Sequence, residues 1–110
     1  MPFDGAPKIP ASHPTPVLDR LIEFFDGGRR WCQGKENGPG GKRCLTQAMT
    51  ELRARQRTEA DHSYRYILRA IRATTRHRYL IEFNDNCSGY AEVEQVLRHA
   101  RVLAQADMRG

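Results

Sequence analysis

Cysteine, tryptophan and long apolar runs are scarce in this chain, and each scarcity argues against a class of protein. No run of about 18 apolar residues occurs, so the sequence predicts no transmembrane helix. Residues 1–16 lack a basic segment followed by an apolar one, so we find no secretory signal and expect a cytoplasmic protein. Three cysteines are few and odd in number, so we expect reduced thiols rather than a disulfide framework.

The length of 110 residues suits one domain with a modest core. Repeated prolines in residues 1–14 remove backbone donors and disfavour helix, so this segment is predicted to be an extended or disordered arm. Such an arm could exchange between two copies and form a homodimer. Residues 15–107 are predicted to form a single helical domain.

Apolar residues at helical spacing predict four helices in that domain. Thr15-Pro16 is a favourable start for the first helix, and Asp26-Gly27-Gly28 a favourable end. The predicted ranges of the others are Lys42 or Arg43 to Arg57, Thr58 to about Arg76, and Gly89 or Tyr90 to Gln105. The predicted fold class is therefore all-α or mostly α, a small bundle of about four helices.

One stretch of the pattern is ambiguous between helix and strand. Tyr79, Ile81 and Phe83 alternate with Leu80 and Glu82, so residues 79–83 could be a short strand or a further helical turn. The polar residues 84–86 that follow are predicted to turn the chain into the last helix.

A long glycine-rich loop is predicted between the first two helices. Six of the nine glycines lie between positions 27 and 41, and residues 37–41 are rich in turn formers. Trp31, the single tryptophan, has a large apolar surface, so we expect it to anchor this loop on the core.

Three short motifs resemble those of a family of small bacterial proteins known only as a domain of unknown function. They are Trp31-x-x-Gly34, then Gly41-x-Arg43-Cys44-Leu45-x-x-Ala48, then Phe83-Asn84-Asp85 before an amphipathic helix. The family pattern prefers tryptophan at the position of Phe83 and often glycine at that of Gln47. The resemblance covers about residues 16–104 and implies a fold and a set of positions, but no reaction.

Cys44 is the first candidate for chemistry. It lies at the start of the second predicted helix, where free backbone N–H groups favour a thiolate. A cysteine nucleophile needs a base and an orienting group, and His77 with Asn84 or Asp85 follow in a permitted order. A thiol hydrolase or transferase is therefore one alternative, and a buried structural cysteine is the other.

Other chemical motifs are weaker. Asn86-Cys87-Ser88-Gly89 resembles a peptidase elbow but lacks a histidine on a later strand, so capping by Ser88 explains it better. The three cysteines with one histidine could bind a metal, but no Cys-x-x-Cys pair supports such a site. The spacing around Gly41-Lys42 does not match a phosphate-binding P-loop. We predict neither cofactor nor metal.

A net charge of +5 permits a nucleic-acid partner. Four arginines of the third predicted helix are spaced to share one face, but no aromatic residues are interleaved with them. This face could bind the phosphates of a nucleic acid or simply be solvated. Its residues are Arg65, Arg69, Arg72 and Arg76.

The leading functional hypothesis is a non-enzymatic interaction or regulatory module that acts through an unknown protein partner. Its predicted binding surface is the junction between the glycine-rich loop and the Asn84-Asp85 segment. The residues assigned to that surface are Trp31, Gly34, Arg43, Asn84 and Asp85. Nucleic-acid binding and Cys44 chemistry stay as the alternatives.

Overall fold

A computed structural model describes residues 15–109, and the predicted arm at 1–14 lies outside the described residues. Within that range the fold is mostly α, as predicted, but with five α-helices rather than four. The helices are α1 (Thr15–Phe25), α2 (Leu45–Arg55), α3 (Arg57–Thr74), α4 (Leu80–Asn86) and α5 (Tyr90–Arg109). Two short strands, β1 (Asn37–Gly38) and β2 (Lys42–Arg43), lie in the loop between α1 and α2.

The core forms where α5 packs against α1 and α3, and α2 packs against α3. One face of α1 and one face of α5 are buried, because the apolar residues of each helix recur every three or four positions. On α3 the buried face includes small and polar residues as well as isoleucines. Ala60, Ser63 and Ile67 lie inside, whereas Tyr64 is 40% exposed at the edge.

The junction between α2 and α3 lies at Gln56, slightly earlier in the chain than the predicted boundary between Arg57 and Thr58. The non-helical backbone of Gln56, with φ = −140° and ψ = 69°, ends α2 and immediately precedes α3, so Thr58 lies inside α3. Arg53 reaches across the junction to Asp61 at 2.9 Å. Helix α3 ends at Thr74, earlier than predicted, so Arg76 lies beyond its last residue.

The possible strand at 79–83 is wrong, since α4 occupies most of that range. Leu80, Phe83 and Asn84 are buried at helical spacing, while Ile81 is 60% exposed. The alternation of residues 79–83 was therefore accidental, and burial follows the 3.6-residue period. Asn84 and its neighbours to 86 belong to this helix rather than to a turn.

Strands β1 and β2 pair antiparallel, with Asn37 opposite Arg43. On the other side of Arg43, Trp31 forms a parallel bridge. The loop between α1 and α2 thus contains a small two-stranded sheet, bridged to Trp31, that leads directly into α2. Within residues 15–109, none of the helices is both long and apolar enough to span a membrane.

Candidate functional site

The candidate site begins with the way the loop of residues 29–44 closes on itself. The backbone N–H of Arg43 donates to the carbonyl of Arg30 at 2.7 Å, and that of Cys32 donates to the carbonyl of Arg43 at 3.2 Å. On the opposite edge, the Cys44 N–H donates to the carbonyl of Glu36 at 3.0 Å. Both ends of the glycine-rich loop are therefore fixed beside the start of α2.

Asn84, fully buried on α4, joins this loop to α2. Its Oδ1 accepts the indole N–H of Trp31 at 2.7 Å and the backbone N–H of Leu45 at 3.0 Å. Its Nδ2 donates to the carbonyl of Cys32 at 3.1 Å. A continued parallel ladder would pair the Leu45 N–H directly with the Cys32 carbonyl. The Asn84 amide replaces that missing bond where the two segments diverge.

The neighbouring Asp85 holds the exposed part of the loop. Its Oδ1 accepts the backbone N–H of Gly34 at 2.9 Å and an N–H of Asn84 at 3.1 Å. Gly34 has φ = +76°, a conformation that glycine adopts without strain. Gln33 adds a contact to the end of α4, because its amide donates to the Cys87 carbonyl at 2.8 Å.

Trp31 covers the junction with its ring. It is half-buried, and its ring centroid lies 6.1 Å from that of Tyr90, which in turn lies 5.6 Å from that of Phe25. Burial and then the nearby Glu94 carboxylate raise the pKa of Tyr90 far above its usual range, so the phenol stays neutral. Trp31 thus links the loop to α5 and, through Tyr90, to α1.

Arg43 faces α2. Its Nε donates to Glu51 at 2.8 Å, and Gln47 donates to the same carboxylate oxygen at 3.2 Å. Burial alone would raise the pKa of Glu51, but these hydrogen bonds and the Arg43 charge outweigh it and lower the pKa. Arg43 therefore sits in a local ion pair next to the loop.

The structure brings together the five residues assigned to the binding surface, but with different exposure. Trp31, Arg43 and Asn84 are wholly or partly buried and hold the junction. Gly34 and Asp85 are exposed, together with Gln33 and residues 35–37. We call this exposed set, residues 33–37 with Asp85, the loop surface.

The catalytic candidates do not form a connected trio. Cys44 caps α2, with its Sγ accepting the N–H of Gln47 at 3.3 Å. His77 instead has its Nδ1 3.5 Å from Glu82 and its ring against Phe83. Within residues 15–109, no hydrogen bond joins Cys44 to His77 or Asp85. The arrangement lacks the nucleophile–base contact of a cysteine enzyme.

The arginines of α3 are partly engaged with the protein itself. Arg69 pairs with Asp107 of α5 at 3.1 Å, and Arg72 donates to the carbonyl of Arg78 at 3.0 Å. Arg65 and Arg76 are exposed. Arg76 borders an open polar groove of about 750 Å³ between the end of α3 and the start of α5.

No group of three or more His, Cys, Asp or Glu side chains in the described range is placed to hold a metal ion. Cys87, the third cysteine considered as a metal ligand, is buried beside Gln33 and the Asn84 carbonyl. Burial raises the pKa of its thiol.

Sequence reasoning missed the roles of Gln33 and of the Cys32 backbone in the junction. Gln33 follows Trp31 in the loop motif, but a glutamine in a loop carries no signal that identifies its partner 54 positions away. The carbonyl of Cys32 is a backbone group and has no sequence signal at all. Comparison with known proteins yields no match to a family model, a curated protein or a solved structure.

Proposed function

We propose that this chain is a non-enzymatic interaction module that presents the loop surface to a protein partner. The observation that carries the proposal is the set of hydrogen bonds from Asn84 and Asp85 to Trp31, Cys32 and Gly34. They fix a glycine-rich segment that would otherwise sample many conformations. Because ordering a loop costs about 1–2 kcal/mol per residue in backbone entropy, prior fixation favours binding.

The composition of the loop surface suits specific polar recognition. Lys35, Glu36 and Asn37 offer donors and acceptors and both charge signs in a short exposed stretch. The backbone carbonyls of Lys35 and Glu36 are used internally, by Cys32 and Cys44. Their side chains can therefore face a partner while the backbone stays fixed. A cytoplasmic location and the resemblance to the small bacterial family belong to the same proposal.

Site-specific photo-cross-linking in living bacterial cells tests this proposal. A photoreactive amino acid at position 35 should give a discrete adduct with another protein, whereas the same probe at exposed position 65 on α3 should not. The position-35 adduct should disappear with Glu36→Ala and persist with Glu23→Ala, an exposed acidic control on α1. Equal adducts at both positions, or no adduct at position 35, would contradict the proposal.

Affinity measurement with the cross-linked protein completes the test. Lys35→Ala combined with Glu36→Ala should weaken binding about tenfold or more, since interface residues at a binding hot spot cost over about 1 kcal/mol each. Arg65→Ala combined with Glu23→Ala removes one charge of each sign elsewhere and should leave the affinity unchanged. Loss of affinity in both double variants would indicate a nonspecific electrostatic effect.

Nucleic-acid binding is supported less well, because Arg69 and Arg72 are occupied within the protein. Fluorescence anisotropy with single- and double-stranded oligonucleotides at low and moderate salt separates the two proposals. A salt-sensitive affinity that falls with Arg65→Ala and Arg76→Ala would favour the nucleic-acid alternative. Binding that is absent at low salt removes it.

A further inference from the structure

The two cysteines at the base of the loop surface lie on neighbouring segments in the same register. The parallel bridge pairs Trp31 with Arg43, so the next position along each segment is Cys32 on one and Cys44 on the other. Cys44 has an extended backbone, with φ = −76° and ψ = 167°, and it directly follows the last ladder bond, from the Cys32 N–H to the Arg43 carbonyl. Paired strands lie about 4.8 Å apart, and disulfides need a Cα separation of about 4.4–6.8 Å.

The side chains of Cys32 and Cys44 also share one face of this small sheet. Successive residues of a strand point to opposite faces. Cys32 and Cys44 therefore both lie on the face opposite to that of Trp31 and Arg43. A Cβ atom built on Gly38 would lie 3.4 Å from the Cβ of Cys32 and 3.1 Å from that of Lys42. That contact places Cys32 on the Lys42 face, and Cys44 is two positions beyond Lys42.

Each of the two sulfurs makes a hydrogen bond to a backbone group. Cys32 donates its S–H to the carbonyl of Lys35 at 3.3 Å, whereas Cys44 accepts the N–H of Gln47. Both cysteines are free and buried, 8% and 7% exposed. Burial, and then the proximity of Cys44, raise the pKa of Cys32.

We infer that Cys32 and Cys44 form a redox modification site, a reversible intramolecular disulfide that locks the base of the loop surface. The co-reactant is a low-molecular-weight disulfide. One cysteine thiolate attacks it, forms a mixed disulfide and releases one thiolate; the other cysteine then attacks the protein-bound sulfur and releases the second. The two cysteines together lose two electrons and two protons, and the incoming disulfide leaves as two thiols.

Oxidation would join the side chains of Cys32 and Cys44, whereas the Asn84 junction uses the backbone of Cys32 and Leu45. The hydrogen bond from the Cys32 thiol to the Lys35 carbonyl is lost, and the disulfide encloses residues 33–43 in a covalent loop. Closure restricts the segment that bears most of the loop surface. A role of this disulfide in controlling partner binding rests on the proposed function, because the disulfide would constrain the same loop surface.

Peptide mapping of the full-length wild-type chain tests the disulfide. The folded protein is equilibrated in glutathione buffers of increasing oxidised fraction, quenched in acid, alkylated and digested with trypsin. Cleavage separates Trp31–Lys35, Cys44–Arg53 and Tyr79–Arg98, so each cysteine is in its own peptide. The expected product is Trp31–Lys35 linked to Cys44–Arg53, with Cys87 alkylated throughout.

Native geometry should make this disulfide easier to form in the folded chain. The equilibrium constant against glutathione should be at least about tenfold larger in buffer than in concentrated guanidinium chloride. In the oxidised folded chain, amide hydrogen exchange of residues 33–43 should slow several-fold, while that of α3 stays unchanged. Cys87→Ser should behave as wild type, and Cys32→Ser should give no linked peptide.

Three results would overturn the inference: equal equilibrium constants in buffer and denaturant, a linked peptide that contains Cys87, or only mixed disulfides with glutathione. The measurement needs no partner. Its failure therefore leaves the proposed interaction standing, and a failed cross-linking experiment leaves the disulfide standing.

Discussion

The side-chain oxygen of Asn84 accepts the indole N–H of Trp31 at 2.7 Å across 53 positions of sequence. The same oxygen accepts the first backbone N–H of α2, from Leu45. One buried side chain of α4 thus fixes the loop and also accepts the first backbone N–H of α2. The junction depends on this side chain because every polar atom it presents to the core is used.

Replacing Asn84 with alanine should therefore destabilise the whole domain. Two donors and the Cys32 carbonyl would lose their partner, and each unsatisfied buried group costs about 1–3 kcal/mol, so we expect a loss of about 3 kcal/mol or more. Urea unfolding followed by circular dichroism measures this loss. The control is Asn86→Ala, whose exposed amide donates only to the Glu82 carbonyl and should cost under about 1 kcal/mol. Equal losses in the two variants would show that Asn84 does not hold the junction.

Trp31→Phe isolates the indole contribution. Phenylalanine keeps an aromatic ring near Tyr90 but removes the donor to Asn84, so we expect a loss of about 1–2 kcal/mol. A double-mutant cycle with Asn84→Ala should show a coupling energy of about 1 kcal/mol between the two positions. Additive effects would mean that Trp31 stabilises the fold through its ring contacts alone.

How much of this junction the sequence predicts depends on the kind of signal each residue carries. Trp31 and the Asn84-Asp85 pair stand out because an aromatic ring must be buried and short polar side chains satisfy free backbone groups. Their positions in the sequence therefore identify where the junction lies. The hydrogen-bond partners follow only from tertiary packing, which sequence spacing does not encode.

The misassigned elements have a similar physical explanation. Tyr79, Ile81 and Phe83 are all strand formers, but burial of Leu80, Phe83 and Asn84 decides for helix. Tertiary contacts overrode the local preference. The catalytic candidates Cys44 and His77 were chosen for their order along the chain. That order carries no information about their distance in the fold.

Gly28→Ala should disrupt the connection between α1 and α5. Gly28 has φ = +101°, and a Cβ there would lie 2.9 Å from the Cβ of Tyr90. Backbone strain and this contact together should cost about 2–4 kcal/mol. Gly27→Ala is a matched control, since its φ is +65° but nothing lies within 4 Å of the added atom. It should cost only about 1 kcal/mol. Thermal unfolding compares the two, and similar losses would mean that Tyr90 moves aside without cost.

Glu92 should contribute stability that depends on pH. The backbone N–H of Ser88, and then its hydroxyl, donate to the Glu92 carboxylate and lower its pKa below the ordinary value of 4.5. Because the folded-state pKa is the lower one, this stabilisation is complete above about pH 5 and disappears as the pH falls through the folded-state value.

Glu92→Gln keeps the shape and an acceptor oxygen but removes the charge, so it should reduce stability at pH 7 by a few tenths of a kcal/mol, a value reduced by solvent screening. The difference from wild type should shrink towards zero as the pH falls from about 5 to 3. Urea unfolding across that range measures it, with exposed Glu23→Gln on α1 as the control. A difference between wild type and Glu92→Gln that stays constant with pH would contradict a charge-dependent contact at Ser88, because only ionisation of Glu92 links this contact to pH.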